Sequence, residues 1–339
     1  MIADAVLAAR LADFLAPRGV TPEALIASID PALGDPLLVV ATGSVLNGFG
    51  NPRSDLDLNV VVDQDKLAVL PIPTFERELL VDAAYLSASE VERWVPELRD
   101  RPWPPAGDFP RSESRRRFML LLQAVRFASG LALTAREGWG GWLAELKAPW
   151  LAERVVQWWR IEAVRWAVAA GWLADARPLT AAQAQCEAVL AALQSRAAAA
   201  GQLYFKPKWL AEKLRLLGDR EGRDALDAAL RIPLTEREVP AYTARCEAIR
   251  HELLGDAADG PTLAAQLWYA PGVTVRSLGT TTLVSRWDLR GLELDGVTLP
   301  PSAPEAPIWE GPLELLPDPD LLTLFREDMT WLSLVEGAQ

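Results

Sequence analysis

Histidine occurs once in this chain of 339 residues, at His251, and cysteine twice, at Cys186 and Cys246. A lone histidine without an acid or nucleophile at telling spacing disfavours hydrolases built on an imidazole base. His251 lies in the helical stretch from Arg245 to Leu254 among apolar neighbours, where a structural role is the ordinary one. The two cysteines stand far apart inside helical patterns and read as buried free thiols of a reducing, cytoplasmic setting, not as a disulfide or a metal pair. No uncharged apolar run reaches about 18 residues, so no transmembrane helix and no membrane partner are expected. The opening MIADAVLAARLADFLAP carries Asp4 and Asp13 and no basic leader, and reads as an amphipathic helix, not a signal peptide. Positive charge is short as well: 34 Lys and Arg face 46 Asp and Glu, a net charge of −12. A grip on long nucleic acid leaves a basic footprint, so a small-molecule or protein partner fits better.

What is abundant is apolar. Half the residues are hydrophobic and 24% are charged, the profile of a globular protein long enough for two or three domains. Tryptophan occurs fourteen times, and seven of these fall between Trp139 and Trp172, where helix packing is the expected use.

The chain is organised around Val40 to Asp63, VATGSVLNGFGNPRSDLDLNVVVD. Two short runs rich in β-branched residues, joined by a Gly/Asn/Pro connection, predict two strands with a loop or short helix between. Gly43-Ser44 ends the first run and Asp55-Leu56-Asp57 opens the second. Side chains on a strand alternate faces, so Asp55 and Asp57 share one side, about 7 Å apart, while Leu56 and Leu58 point to a core. Two such carboxylates repel unless a positive charge sits between them, and hard oxygen ligands on a rigid strand suit Mg²⁺.

Gly43-Ser44, separated from Asp55 by ten residues, and the run Ser54-Asp55-Leu56-Asp57 together resemble the signature of the polymerase-β-like nucleotidyltransferase superfamily. The resemblance covers roughly residues 35 to 90, and in layout it is similar to the antibiotic and small-molecule branch. It implies a Gly-Ser turn that seats a triphosphate, with Gly43, Ser44 and Ser54 as nucleotide-binding residues. Asp55 and Asp57 are then ligands of two Mg²⁺ ions, with Mn²⁺ as a substitute, and a third carboxylate completes the site. Asp82, the only charge in the apolar run Leu79 to Leu86, is the candidate for that third ligand. The implied activity moves a nucleoside monophosphate from an NTP to a hydroxyl, with ATP among the candidate donors. A small molecule is the first choice of acceptor, and a protein hydroxyl or a nucleotide second messenger comes after it. The rival from another class is a catalytically silent nucleotide-binding or regulatory module.

Helices are expected over 2–15, after the Thr21 cap, from Ser89, over 151–170 and over 180–200. Four prolines in ELRDRPWPPAGDFP mark a linker. The expected fold class is therefore α+β: a mixed-sheet nucleotidyltransferase core over 1–96, a linker over 97–111, a helical lobe over 112–260, and a β-rich, proline-rich module over 261–339. Three or four short strands are expected from Gln266 onward, and a closing helix over 320–335. Arg115 to Arg117 oppose the dipole at a helix start and read as a solvated face or a phosphate contact. Glu162, among tryptophans, is expected to pair with Arg165 or Arg160. Lys206, Lys208 and Lys213 are three of only five lysines, and Pro207 sits where a helix begins. The resemblance implies that a helical-lobe lysine reaches the triphosphate, with Lys206 or Lys208 as candidates.

Overall fold

The computed structural model describes residues 2–65, 71–255, 262–287, 289–301 and 306–337. Along the chain run α1 (Asp4–Leu15), α2 (Pro22–Ala27), β1 (Pro36–Thr42), β2 (Leu56–Val62), β3 (Pro71–Glu76) and β4 (Leu79–Ser87). Then come α3 (Ala88–Val91), α4 (Trp94–Arg99), α5 (Arg111–Ala128), β5 (Leu131–Ala135), α6 (Trp139–Leu146), α7 (Pro149–Leu173) and α8 (Pro178–Ala199). The remainder holds α9 (Leu210–Leu216), α10 (Arg220–Leu230), α11 (Val239–Leu254), β6 (Leu263–Tyr269), β7 (Val273–Leu278), β8 (Thr281–Arg286), β9 (Arg290–Asp295), β10 (Trp309–Pro312), α12 (Pro319–Arg326) and β11 (Thr330–Glu336). The fold class is α+β, as expected. Residues 256–260, at the end of the stretch read as helical, lie outside the described residues. Among the described residues no helix is long and apolar enough to cross a membrane.

The chain forms two compact units, each assembled from separate segments. The first comprises Met1–Arg101, Phe118–Val155 and Ala197–Gly218. Its centre is a five-stranded mixed sheet in the order β3-β4-β2-β1-β5. β1 pairs antiparallel with β2, and β2 pairs parallel with β4. On β2 the alternation holds: Leu56, Leu58, Val60 and Val62 are buried against Leu7, Leu11 and Leu15 of α1 and Leu25 of α2. Thr21 caps α2 by accepting the Ala24 N–H.

Two strands of this sheet fall where none was expected. β3 carries Pro71 and Pro73, residues that ordinarily mark a loop; prolines cannot donate to a ladder, but an edge strand tolerates them. β5 interrupts the stretch read as a helical lobe and closes the other edge against β1. Gly130 makes that junction possible, since a Cβ there would lie 2.5 Å from Val40 Cγ1 and 2.7 Å from the Ala41 carbonyl. The end of α5 is thereby held close upon β1.

The second unit comprises Pro102–Arg117, Val156–Arg196 and Asp219–Gln339. It holds two three-stranded antiparallel sheets, β10-β6-β11 and β7-β8-β9. Their apolar faces join α12, Ala169 and Trp172 in one core. The closing segment over 320–335 is half helix and half strand. α12 stops at Arg326, the chain turns through Asp328 at φ +59, and β11 follows. Buried Gln266 accepts the Phe109 N–H at 3.1 Å and donates to Glu310 at 2.9 Å. Cys186 and Cys246 are free and buried. Glu162 pairs with Arg165 at 2.7 Å, as expected, and Arg116 and Arg117 both pair with Glu113; Arg117 is buried beside that acid and is not part of a solvated face.

Candidate active site

Five segments of the first unit converge at the ends of β1, β2 and β4. β1 ends at Thr42, and Gly43 turns the chain at φ +93. The following turn is closed by the Phe49 and Gly50 N–H groups, which both donate to the Ser44 carbonyl at 2.9 and 3.0 Å. Buried Asn47 donates its side-chain amide to the Gly43 carbonyl at 2.9 Å. This leaves the Ser44 hydroxyl half-exposed and without a partner among the described residues. Ser54 shapes the approach to Asp55: its hydroxyl accepts the Asn51 N–H at 2.9 Å.

Asp55 stands just before β2, Asp57 lies inside it, and Asp57 is in register with Thr42 on β1 and with Asp82 on the parallel β4. Asp55 lies close enough to Asp82 for its charge to act on the Asp82 carboxyl. Burial raises the Asp82 carboxyl above the ordinary aspartate range, and the negative charges of Asp55 and Asp57 raise it further. Arg126, in the last turn of α5, opposes them. Its Nη2 donates to Asp57 Oδ1 at 2.9 Å, and both side chains are only 18% exposed. Behind the pair, buried Asn59 donates to Thr42 Oγ1 at 3.1 Å.

Three observations bear on whether a metal fits here. The donors are hard carboxylate oxygens that gather more negative charge than one arginine offsets. Gly43 provides a cradle: a Cβ there would stand 2.0 Å from Asp57 Oδ2, so only a glycine lets the carboxylate lie against this turn. Arg126 Nε is buried without a hydrogen-bond partner, an orphaned donor at the same spot. As the side chains stand, no group of three His, Cys, Asp or Glu among the described residues forms a metal cage, and Asp57 is turned to Arg126. The donor chemistry fits a divalent cation, and the cradle seats the Asp57 carboxylate against the turn.

The lysine segment reaches this end of the unit. Trp209 stacks on Phe49 of the Gly-Ser turn, with centroids 5.4 Å apart and rings at 18°, and Tyr204 meets Phe49 at 5.8 Å. Lys208 Nζ lies 5.2 Å above the Trp209 ring, and Lys206 is half-exposed beside Pro207. Lys213 is apart from them: it is 1% exposed, and burial pushes its ammonium down to about 7.

No family model matches the chain, and no curated protein matches it either. The structure is similar to a solved nucleotidyltransferase-like protein from Exiguobacterium sibiricum, at 14% identity and a TM-score of 0.36, over 73% of this chain and 81% of that one. A likeness of that depth decides nothing about activity.

Two residues of the site carried no sequence signal as such. Arg126 is 69 positions from Asp57 and lies in a helix that reads only as amphipathic. Tyr204 opens the lysine segment, but nothing in that segment marks the tyrosine. It is 2% exposed, and its hydroxyl is pushed up to about 12 by burial, with added pressure from the charges of Asp57 and Asp55.

Proposed function

We propose that this chain is a metal-dependent nucleotidyltransferase that moves a nucleoside monophosphate from an NTP to a hydroxyl of a small molecule, releasing pyrophosphate. One observation carries the reading: the Gly43 turn lies against Asp57, and Asp57 is paired in register with Asp82 across β2 and β4. In this reading Asp55, Asp57 and Asp82 would hold two Mg²⁺ ions, which would supply the positive charge that polarises the attacking oxygen and neutralises the departing pyrophosphate. The chain's own residues do the rest. The half-exposed Ser44 hydroxyl and the turn from Gly43 seat the terminal phosphates. Lys206 or Lys208, held beside that turn by the Trp209–Phe49 stack, adds positive charge to the same phosphates. Asp82, in register with Asp57 across the two strands, takes the acceptor's hydroxyl proton.

The test is Mg²⁺-dependent pyrophosphate release from a mixture of the four NTPs in the presence of cell extract, followed by mass analysis of the modified product. Asp55→Asn and Asp57→Asn remove charge at constant shape and are expected to abolish release with the fold intact. Near-normal turnover by either variant refutes the reading.

The Arg126–Asp57 ion pair favours one alternative, a silent nucleotide-binding module in which the guanidinium stands where a metal charge is needed. Nucleotide binding without pyrophosphate release from any NTP is its mark.

A further inference from the structure

Arg126 is more than a spare counter-charge. A guanidinium placed only to neutralise a carboxylate does best when it makes a two-pronged contact and leaves no donor buried alone. Here one prong reaches Asp57 Oδ1 at 2.9 Å, while Nε of the same group is buried and unpaired. The arginine sits at the last turn of α5, and Gly130, two residues beyond that helix, is pressed against β1. The stem is therefore fixed close to the sheet, and one buried donor of its head is unspent. A divalent cation on Asp57 would share one carboxylate with the guanidinium that now pairs with Oδ1, and the two positive charges repel.

We infer that Arg126 is a positioning residue which competes with the metal for Asp57 and, once displaced from it, turns its donors to the phosphates of the nucleotide. Metal and nucleotide are thereby loaded together, and metal alone is disfavoured. This rests on the nucleotidyltransferase reading above.

The experiment is calorimetric titration of Mn²⁺ alone into the full chain, its Arg126→Ala variant and its Arg126→Gln variant. Titration of a non-hydrolysable ATP analogue at saturating Mn²⁺ follows. Arg126→Gln keeps much of the stem's packing and serves if Arg126→Ala does not fold. The neutral variants should bind Mn²⁺ alone about tenfold more tightly than the parent. They should bind the analogue about tenfold more weakly, because the displaced guanidinium is no longer there to receive it. Arg126→Lys, which keeps the charge as a single point, should fall between. A parent that binds Mn²⁺ or the analogue, with variants unchanged in both affinities, overturns this inference alone. A parent that binds neither overturns it together with the nucleotidyltransferase reading.

Discussion

Gly43→Ala is the sharpest probe of how the site is built. The perturbation is one methyl group. At φ +93 an alanine occupies a backbone region that costs about 1–3 kcal/mol for a residue with a Cβ. The same methyl would stand 2.0 Å from Asp57 Oδ2, so the carboxylate must move and its 2.9 Å bond to Arg126 must break. That pair is 18% exposed on both sides, between a surface bridge and a fully buried one, and its loss should add about 1–3 kcal/mol. The expected total is about 2–6 kcal/mol, read as a fall in urea-unfolding free energy. A double-mutant cycle separates the two parts. In an Asp57→Ala background nothing is left to collide, and the same Gly43→Ala change should cost only the backbone part, a coupling of about 1–3 kcal/mol. Additive effects within about 0.5 kcal/mol would falsify the claim that the carboxylate is packed against the turn.

Three further outcomes are expected. Asp82 has its proton affinity raised in the folded state, so folding takes up a proton as pH falls into the window just above the ordinary aspartate value. Stability is therefore lost as pH rises through that window, and Asp82→Asn in metal-free buffer should unfold at higher urea than the parent near pH 7; a lower midpoint contradicts the assigned repulsion. Lys206→Ala and Lys208→Ala should weaken NTP binding and leave acceptor binding alone, with added salt weakening the parent in the same direction; unchanged nucleotide titrations return both lysines to the solvated surface. Lys213 is depressed to about 7, so between there and the usual lysine value the unfolded chain holds a proton that the folded chain lacks, and stability should rise with pH by a few kcal/mol, roughly 1.4 per unit. Lys213→Met should flatten that rise in urea midpoints between about pH 7 and about pH 9.5, and a parent with no rise refutes the assigned burial.

The juxtaposition of Gly43 with Asp57 was legible because its signals are local. Period-two alternation around Asp57 and the spacing from Gly43-Ser44 needed no knowledge of the rest of the chain. Asp82 stood out because a charge inside an apolar strand wants a reason, and its register with Asp57 bears on that reason. The strands that escaped are those that break local rules. β3 carries prolines and survives only as an edge. β5 is five residues long and directly follows a helix. β11 shares an apolar segment with α12, and the turn at Asp328, which divides them, is made by a residue type that only occasionally adopts positive φ. Arg126 and Tyr204 were illegible for a different reason: each reaches the carboxylates through tertiary placement, which no periodicity reports.

The position of β5 at the far edge of the sheet also sets a timetable. Synthesis proceeds at about 5–20 residues per second, so on the order of ten seconds separates the appearance of β1 from that of its neighbour β5. Throughout that interval the β1 run of Leu38, Val39 and Val40 offers an open ladder edge, the kind of surface on which nascent chains pair wrongly. Arg126 arrives only a few residues ahead of β5, and Tyr204 later still. The three aspartates are thus made seconds before the arginine that pairs with Asp57, which lies 69 residues further on.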